Sequence, residues 1–274
     1  MRAYGYLLGV VIIWGLAYPL TKYLTAYFSP TFIAFFRAAI GFAVLSAVAK
    51  PARPDGKTAA VGILNMGATV LLINLSLLFA KSPGLVSTLM YTQPLFVLLL
   101  SAIALKATVK LGEALGVALG VAGVIVSTMG GGACTCDLLP VLGGFLWALG
   151  TVAYKLWLTD KPVLPITATM NGVAAAFLLP TALVSYKVSF SARALLLLIA
   201  LAVLAQGVAW LLWFRSIREL GPVRAGEISL LVPVFSYLFS YFMLGSTPTL
   251  YQAIGSALIL SGISTIYIAA GKFK

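Results

Sequence analysis

The sequence predicts an all-α membrane protein, with ten transmembrane helices in two inverted five-helix repeats and both termini in the cytoplasm. Three observations predict it: long apolar stretches, lysine and arginine gathered on alternate connections, and prolines and glycines that recur at a constant offset. Apolar residues make up 62% of the 274 and charged residues only 9%, where a soluble domain carries about 25% charge. A bilayer-crossing helix needs about 20 mostly apolar residues. Ten such helices leave room only for short connections.

The first five stretches run at Tyr4–Thr21, Thr31–Ala49, Ala59–Phe79, Leu85–Leu105 and Leu111–Met129. The second five run at Leu138–Leu158, Leu164–Val184, Ala194–Phe214, Ala225–Leu244 and Leu250–Ala270. Turn-forming residues separate them: Ser29-Pro30, Pro51 to Gly56, Ser82-Pro83-Gly84, Gly130 to Gly132, Gly221-Pro222 and Thr247-Pro248. Met1-Arg2 followed by Leu7 to Ile13 resembles a signal peptide. No small-x-small cleavage site follows, so these residues read as an uncleaved first helix.

With the N-terminus inside, thirteen lysines and arginines fall on inner segments and four on outer ones, while Arg37 lies within the second stretch. Cytoplasmic loops carry the excess of positive charge, so both ends are expected there.

An offset of 139 residues aligns Pro83 with Pro222, Pro94 with Pro233, Phe96 with Phe235, Gly116 with Gly255 and Gly123 with Gly262. An offset of 133 aligns Trp14 with Trp147 and Lys22 with Lys155. The expected units are 1–131 and 137–274. Each has an odd number of helices, so the second lies upside down relative to the first, an arrangement common in secondary transporters.

Histidine is absent and the only cysteines are Cys134 and Cys136, in a glycine-rich connection. Zinc, haem and Cys–His chemistry lack their usual groups, and no cofactor is expected. Asp55-Gly56-Lys57-Thr58 mimics the end of a P-loop, but Pro51 stands where the first glycine belongs. The net charge of +12 is scattered over helix ends rather than grouped in a patch, so no nucleic-acid partner is expected. No acid–base or nucleophile–base pair stands out at membrane depth, which disfavours an embedded enzyme.

Several residues are candidates for a solute path. Trp14, Tyr18 and Lys22 lie at i, i+4 and i+8, one face of the first helix, with Trp147, Thr151 and Lys155 as counterparts in the sixth. They suit stacking a ring or holding a carboxylate, or else core packing with snorkelling lysines. Tyr91 and Gln93 precede Pro94, while Ser236 follows Pro233. Paired prolines at equivalent places mark a hinge, a solute site or ordinary kinks. Asn74, Gln206 and Trp210 add groups at similar depth, for a solute or for helix–helix bonding, as does Asn171. Glu227 is the one acid placed inside a helix, a candidate for coupling or an interfacial partner of Arg224. Gly112, Gly116 and Gly120 form a stripe for close helix contact, within one chain or in a homodimer.

Trp14-Gly15 with Lys22, Arg37, Gln93-Pro94, Trp210 to Phe214 through Gly221-Pro222, Leu231 to Phe235, and Gln252 to Gly262 together resemble the EamA-type branch of the drug/metabolite transporter superfamily. The resemblance covers essentially the whole chain. It implies ten helices around a central cavity, and export of amino acids or related metabolites without ATP. Members often carry Gly-Glu after helices 4 and 9; here those places read Leu105-Lys106-Ala107 and Leu244-Gly245-Ser246.

The expected function is a secondary transporter of small organic solutes in the cell membrane, amino acids foremost. A transporter of sugar phosphates or nucleotide sugars, using Lys22, Arg37 and Lys155, is the alternative. The charge asymmetry also makes a direct prediction: tags at residues 1 and 274 should be reached only after cells are opened. Labelling of either end on intact cells would overturn the orientation.

Overall fold

A computed structural model describes residues 2–105, 110–129, 137–184 and 187–269, apart from the side chains of residues 2–3, 101, 104–105, 221–224, 226–228 and 267. Cys134, Cys136 and the glycines beside them lie outside the described residues.

The first half begins with α1 (Arg2–Leu24) and α2 (Pro30–Val48). Ser29 caps α2 by accepting from the Phe32 N–H, and Pro30 takes the first position, where its missing N–H costs nothing. Asp55 caps α3 (Gly56–Gly62), which runs through a π-helical turn, Ile63–Ala68, into α4 (Thr69–Phe79). Then come α5 (Pro83–Met90), capped by Ser82, α6 (Gln93–Leu105) and α7 (Leu111–Met129).

The second half holds α8 (Leu138–Trp157), α9 (Val163–Leu183) and α10 (Ala192–Leu201). A second π-helical turn, Ala202–Val208, joins α10 to α11 (Ala209–Ser229), followed by α12 (Leu231–Leu244) and α13 (Leu250–Ala269). The two π turns stand 139 residues apart, the offset at which the sequence repeats. Among the described residues, eight helical segments are long and apolar enough to cross a membrane, and two further apolar helices are shorter.

Two expectations need correction. The fourth stretch is not one helix but breaks at Tyr91 and Thr92. Pro94 has no N–H to give the Met90 carbonyl, and it disfavours helical backbone at the residue before it. Thr92 turns its hydroxyl back to the Leu89 carbonyl at 2.7 Å. Gly144 of α8 lies against the freed Met90 carbonyl, where an added Cβ would stand 2.8 Å away. The second correction is Gly221-Pro222, expected as a turn. The backbone stays helical there and breaks at Leu230 instead, since the proline φ is itself helical.

Packing centres on α1, which lies against both α11 and α12, while α2 lies against α9 and α8 against α4 and α6. Val10, Val11 and Trp14 of α1 are buried, but Leu8 and Ile12 are exposed, as are Leu115 and Ile125 of α7 and Phe242 of α12. A soluble protein avoids large exposed apolar areas; in a bilayer these side chains meet lipid.

The α7–α13 pair is the tightest. A Cβ on Gly116 would stand 2.5 Å from the Gly262 carbonyl, and one on Gly123 would stand 2.6 Å from the Gly255 carbonyl. Rising residue numbers on one helix meet falling numbers on the other, so the pair is antiparallel. Each contact joins one glycine to the repeat counterpart of the other, and the stripe expected from Gly112, Gly116 and Gly120 is spent within the chain.

At one end of the bundle the 25–29 and 187–191 connections join, with the Ser29 N–H donating to the Lys187 carbonyl at 2.9 Å and the Ser189 N–H to the Tyr27 carbonyl at 2.8 Å. At the opposite end Lys161 pairs with Asp55. The Lys161 ammonium, with the Thr58 hydroxyl and N–H, holds the Asp55 carboxyl well below the usual carboxylate range. A depressed value means that this contact's contribution is complete above the ordinary range and is lost only as pH falls through the folded value.

The glycine pairing predicts an unequal response to substitution. Gly123→Leu should lower stability by about 2 kcal/mol or more, the scale of overpacking a close contact. Gly56→Ala should be neutral, since nothing lies within 4 Å of its added Cβ. Thermal unfolding of the purified protein in detergent reads both, and equal melting temperatures would refute the close contact.

Candidate functional site: a tryptophan-lined cavity

Tryptophan in membrane proteins gathers at the two membrane–water interfaces. Here four of the five meet in the middle of the helix packing instead. The Trp14 ring lies 5.6 Å from Trp147, 5.1 Å from Trp210 and 5.6 Å from Trp213, and Trp147 lies 5.5 Å from Trp213. Tyr91 meets Trp147 edge-on at 5.4 Å, and Phe214 stacks between Trp210 at 5.6 Å and Tyr154 at 4.3 Å. Such edge and offset contacts follow the ring quadrupoles.

The backbone around this cluster is irregular in a way that leaves carbonyls to accept from side chains. The Trp14 Nε1–H donates to the Ala205 carbonyl, inside the second π turn, at 3.1 Å. In the first π turn the Thr69 hydroxyl donates to the Leu64 carbonyl at 2.7 Å. A π turn shifts carbonyls away from their usual donors, and it recurs at functional sites. Each π turn leads within two residues to one that lines a shared space, Thr69 after the first and Trp210 after the second.

That space is a cavity open in part to the outside, about 450 Å³ only when that open space is counted with it. Trp14, Ala17, Tyr18 and Thr21 of α1 form one wall, with Thr69, Val70 and Ile73 of α4 beside them. Met90 and Tyr91, Trp147 of α8 and Trp210 of α11 close it on the other side, and Arg37 of α2 enters between. The walls thus draw on helices from both halves of the chain.

Of the residues singled out from sequence, Trp14, Tyr18, Tyr91, Trp147 and Trp210 line this cavity. Others lie elsewhere. The Lys22 ammonium donates to the Leu78 carbonyl at 3.1 Å, neutralising the C-terminal end of α4. Its counterpart Lys155 is exposed. Gln93 donates to Thr151 at 3.3 Å, and Ser236 reaches the Pro83 carbonyl at 3.5 Å. Gln206 is fully buried with no partner for its amide, next to Gly41 and Asn171. Pro94 and Pro233 sit in the first turns of α6 and α12. The Glu227 backbone belongs to α11, but its side chain lies outside the described residues.

Asn74 supports the cavity rather than lining it. Its Nδ2 donates to the Pro30 carbonyl at 3.2 Å, and its Oδ1 accepts from Arg37 Nη1 at 3.5 Å. Arg37 is the residue that periodicity did not pick out as a site group: it is 5% exposed and its Nε has no partner. The signal was present, because a charge amid an apolar stretch is costly and marks function by default.

The fold and cavity define a multi-pass helical membrane protein with an internal site lined from both halves. The profile of the EamA-like transporter family matches residues 1–129 and 135–268, and the chain belongs to that family. An uncharacterized transporter of Archaeoglobus fulgidus is 28% identical, over 96% of each chain. A protein of Escherichia coli named a probable amino-acid metabolite efflux pump is 24% identical, over 93% of this chain and 91% of its own. A solved structure of 20% identity shares the fold with a TM-score of 0.73, covering 100% of this chain and 99% of that one.

The geometry predicts which positions on α1 meet the cavity. In a background lacking Cys134 and Cys136, Tyr18→Cys should react with a small polar thiol reagent, and a solute that fills the cavity should slow it. Leu7→Cys, fully buried away from the cavity, should stay unreactive. Equal rates at both positions would return the stripe to ordinary packing.

Proposed function

We propose that this protein is a secondary transporter that moves small organic metabolites, amino acids foremost, out of the cell by alternating access. The observation that carries the reading is the cavity walled by tryptophans from both halves of the chain. Ten membrane helices in two inverted repeats, 1–131 and 137–274, form its frame. The antiparallel α7–α13 glycine contacts, the π turns 139 residues apart, and the breaks at Tyr91 and Leu230 support that frame. The printed name of the Escherichia coli relative supports amino acids as the solute class.

In this reading the paired breaks before Pro94 and Pro233 act as hinges, since backbone already freed from helical bonding bends at small cost. Sugar phosphates and nucleotide sugars fit less well. A di- or trianion needs several cations, and Arg37 alone among the described lining residues is one. Lys22 and Lys155, which would have served, stand apart from the cavity.

Coupling falls to Glu227, or transport runs down the solute gradient alone; the sequence set Glu227 apart as the one acid inside a helix, but α11 (Ala209–Ser229) takes in Glu219 as well. Proteoliposomes with a panel of labelled amino acids test both parts. A pH gradient should drive accumulation in the wild type and not in Glu227→Gln, while exchange of labelled for unlabelled solute survives. If the wild type ignores the gradient, the uncoupled branch holds. If Glu227→Gln concentrates solute as well as the wild type, the coupling role is wrong. Failure of every amino acid to move by exchange would sink the solute class.

A further inference from the structure

We infer that Arg37 anchors a solute carboxylate, so that the cavity takes apolar or aromatic monocarboxylates whether or not they carry an amino group. This deepens the transporter reading and rests on it.

Arg37 lies seven residues into α2, 5% exposed, at the wall of the cavity. A guanidinium stays protonated in proteins and carries five N–H donors. The one bond found for it among the described residues is the long contact to Asn74, 3.5 Å from Nη1. Its Nε has no partner. The one ion pair among the described residues, Lys161–Asp55, stands at the end of the bundle. A buried charge without a counter-ion is destabilising, and a carboxylate arriving in the cavity supplies the missing charge in the planar, two-pronged form that arginine matches best.

The neighbours of Arg37 point the same way. Thr21 Oγ1 is buried, unpartnered and on the cavity wall, a turn beyond Tyr18. Trp147 also lines the cavity with its Nε1–H unpartnered. These groups can donate to oxygen. None of the described lining residues is an acid, so among them no carboxylate neutralises an ammonium, and Arg37 repels an amine that brings no carboxylate of its own. The body of the solute is left to the faces and edges of Trp14, Trp147 and Trp210, which favour rings over polar chains.

The test uses purified full-length protein and its own tryptophan fluorescence, read with 3-phenylpropionate, its neutral amide and 2-phenylethylamine. The carboxylate should bind saturably and the amide about tenfold or more weaker, the scale of a hydrogen bond to a charged group. The amine should neither bind nor compete. Arg37→Gln should weaken the carboxylate by about tenfold or more and leave the amide unchanged, and Arg37→Lys should fall between. If Arg37→Gln does not fold, the carboxylate-to-amide ratio of the wild type and of Arg37→Lys decides. Equal binding of acid and amide, no binding of the acid at millimolar concentration, or undiminished binding in Arg37→Gln would each overturn the anchor. Flux assays separate this from the transporter reading. Carboxylate binding with no flux of any solute keeps the anchor and sinks transport; flux without a carboxylate preference does the reverse.

Discussion

Within hydrocarbon no water takes up a backbone group that its own helix leaves free, and this constraint orders the rest of the structure. The chain departs from regular helix at the two π turns and at the breaks before Pro94 and Pro233, and the first three of these are met by a nearby group. Trp14 donates to Ala205, Thr69 to Leu64 and Thr92 to Leu89. Gly144 meets the freed Met90 carbonyl by close approach. Those three irregular places are largely buried in protein beside one cavity, whose wall takes Thr69, Tyr91 and Trp210 from next to them. Irregular backbone at membrane depth is tolerated on that condition, and the tryptophan cluster depends on it because Trp14 is held by one of those carbonyls.

The same logic explains how much of the architecture was legible in the sequence. Apolar length and turn residues are local signals, and they place the membrane helices to within a few residues for most segments. The glycine stripe of α7 was legible too, because close helix approach demands small side chains whatever the partner; its partner, α13, is a matter of tertiary structure. The π turns were not legible. One added residue per turn leaves composition unchanged, and only the three-dimensional register reveals it. The break at Tyr91 was half legible: Pro94 announces a freed carbonyl, but not that the helix ends outright.

For the site, helical spacing finds a face and not what the face meets. Trp14 and Tyr18 share a face with Lys22, yet the cavity ends before the lysine, which turns to the C-terminal carbonyls of α4. Gln93 and Ser236 were plausible solute contacts by depth alone, and both are used in contacts between helices. Arg37 went the other way. It has no stripe to belong to, and its weight comes from what is missing around it among the described residues, a counter-charge, which no sequence pattern encodes.

The cavity's chemistry is therefore lopsided: aromatic rings, free donors and one cation, with no acid on its described walls. In a medium of low dielectric such an imbalance acts more strongly than it would in water, because the interaction between charges is less screened. An empty cavity leaves Arg37 facing space, while a monocarboxylate restores neutrality and a second negative charge oversteps it. On the inferred anchoring by Arg37, the fixed charges at the described wall set the charge the site accepts, and the rings set the shape. Lys22 and Lys155 are drawn off to a helix end and to the surface, which leaves Arg37 as the one cation on the described walls.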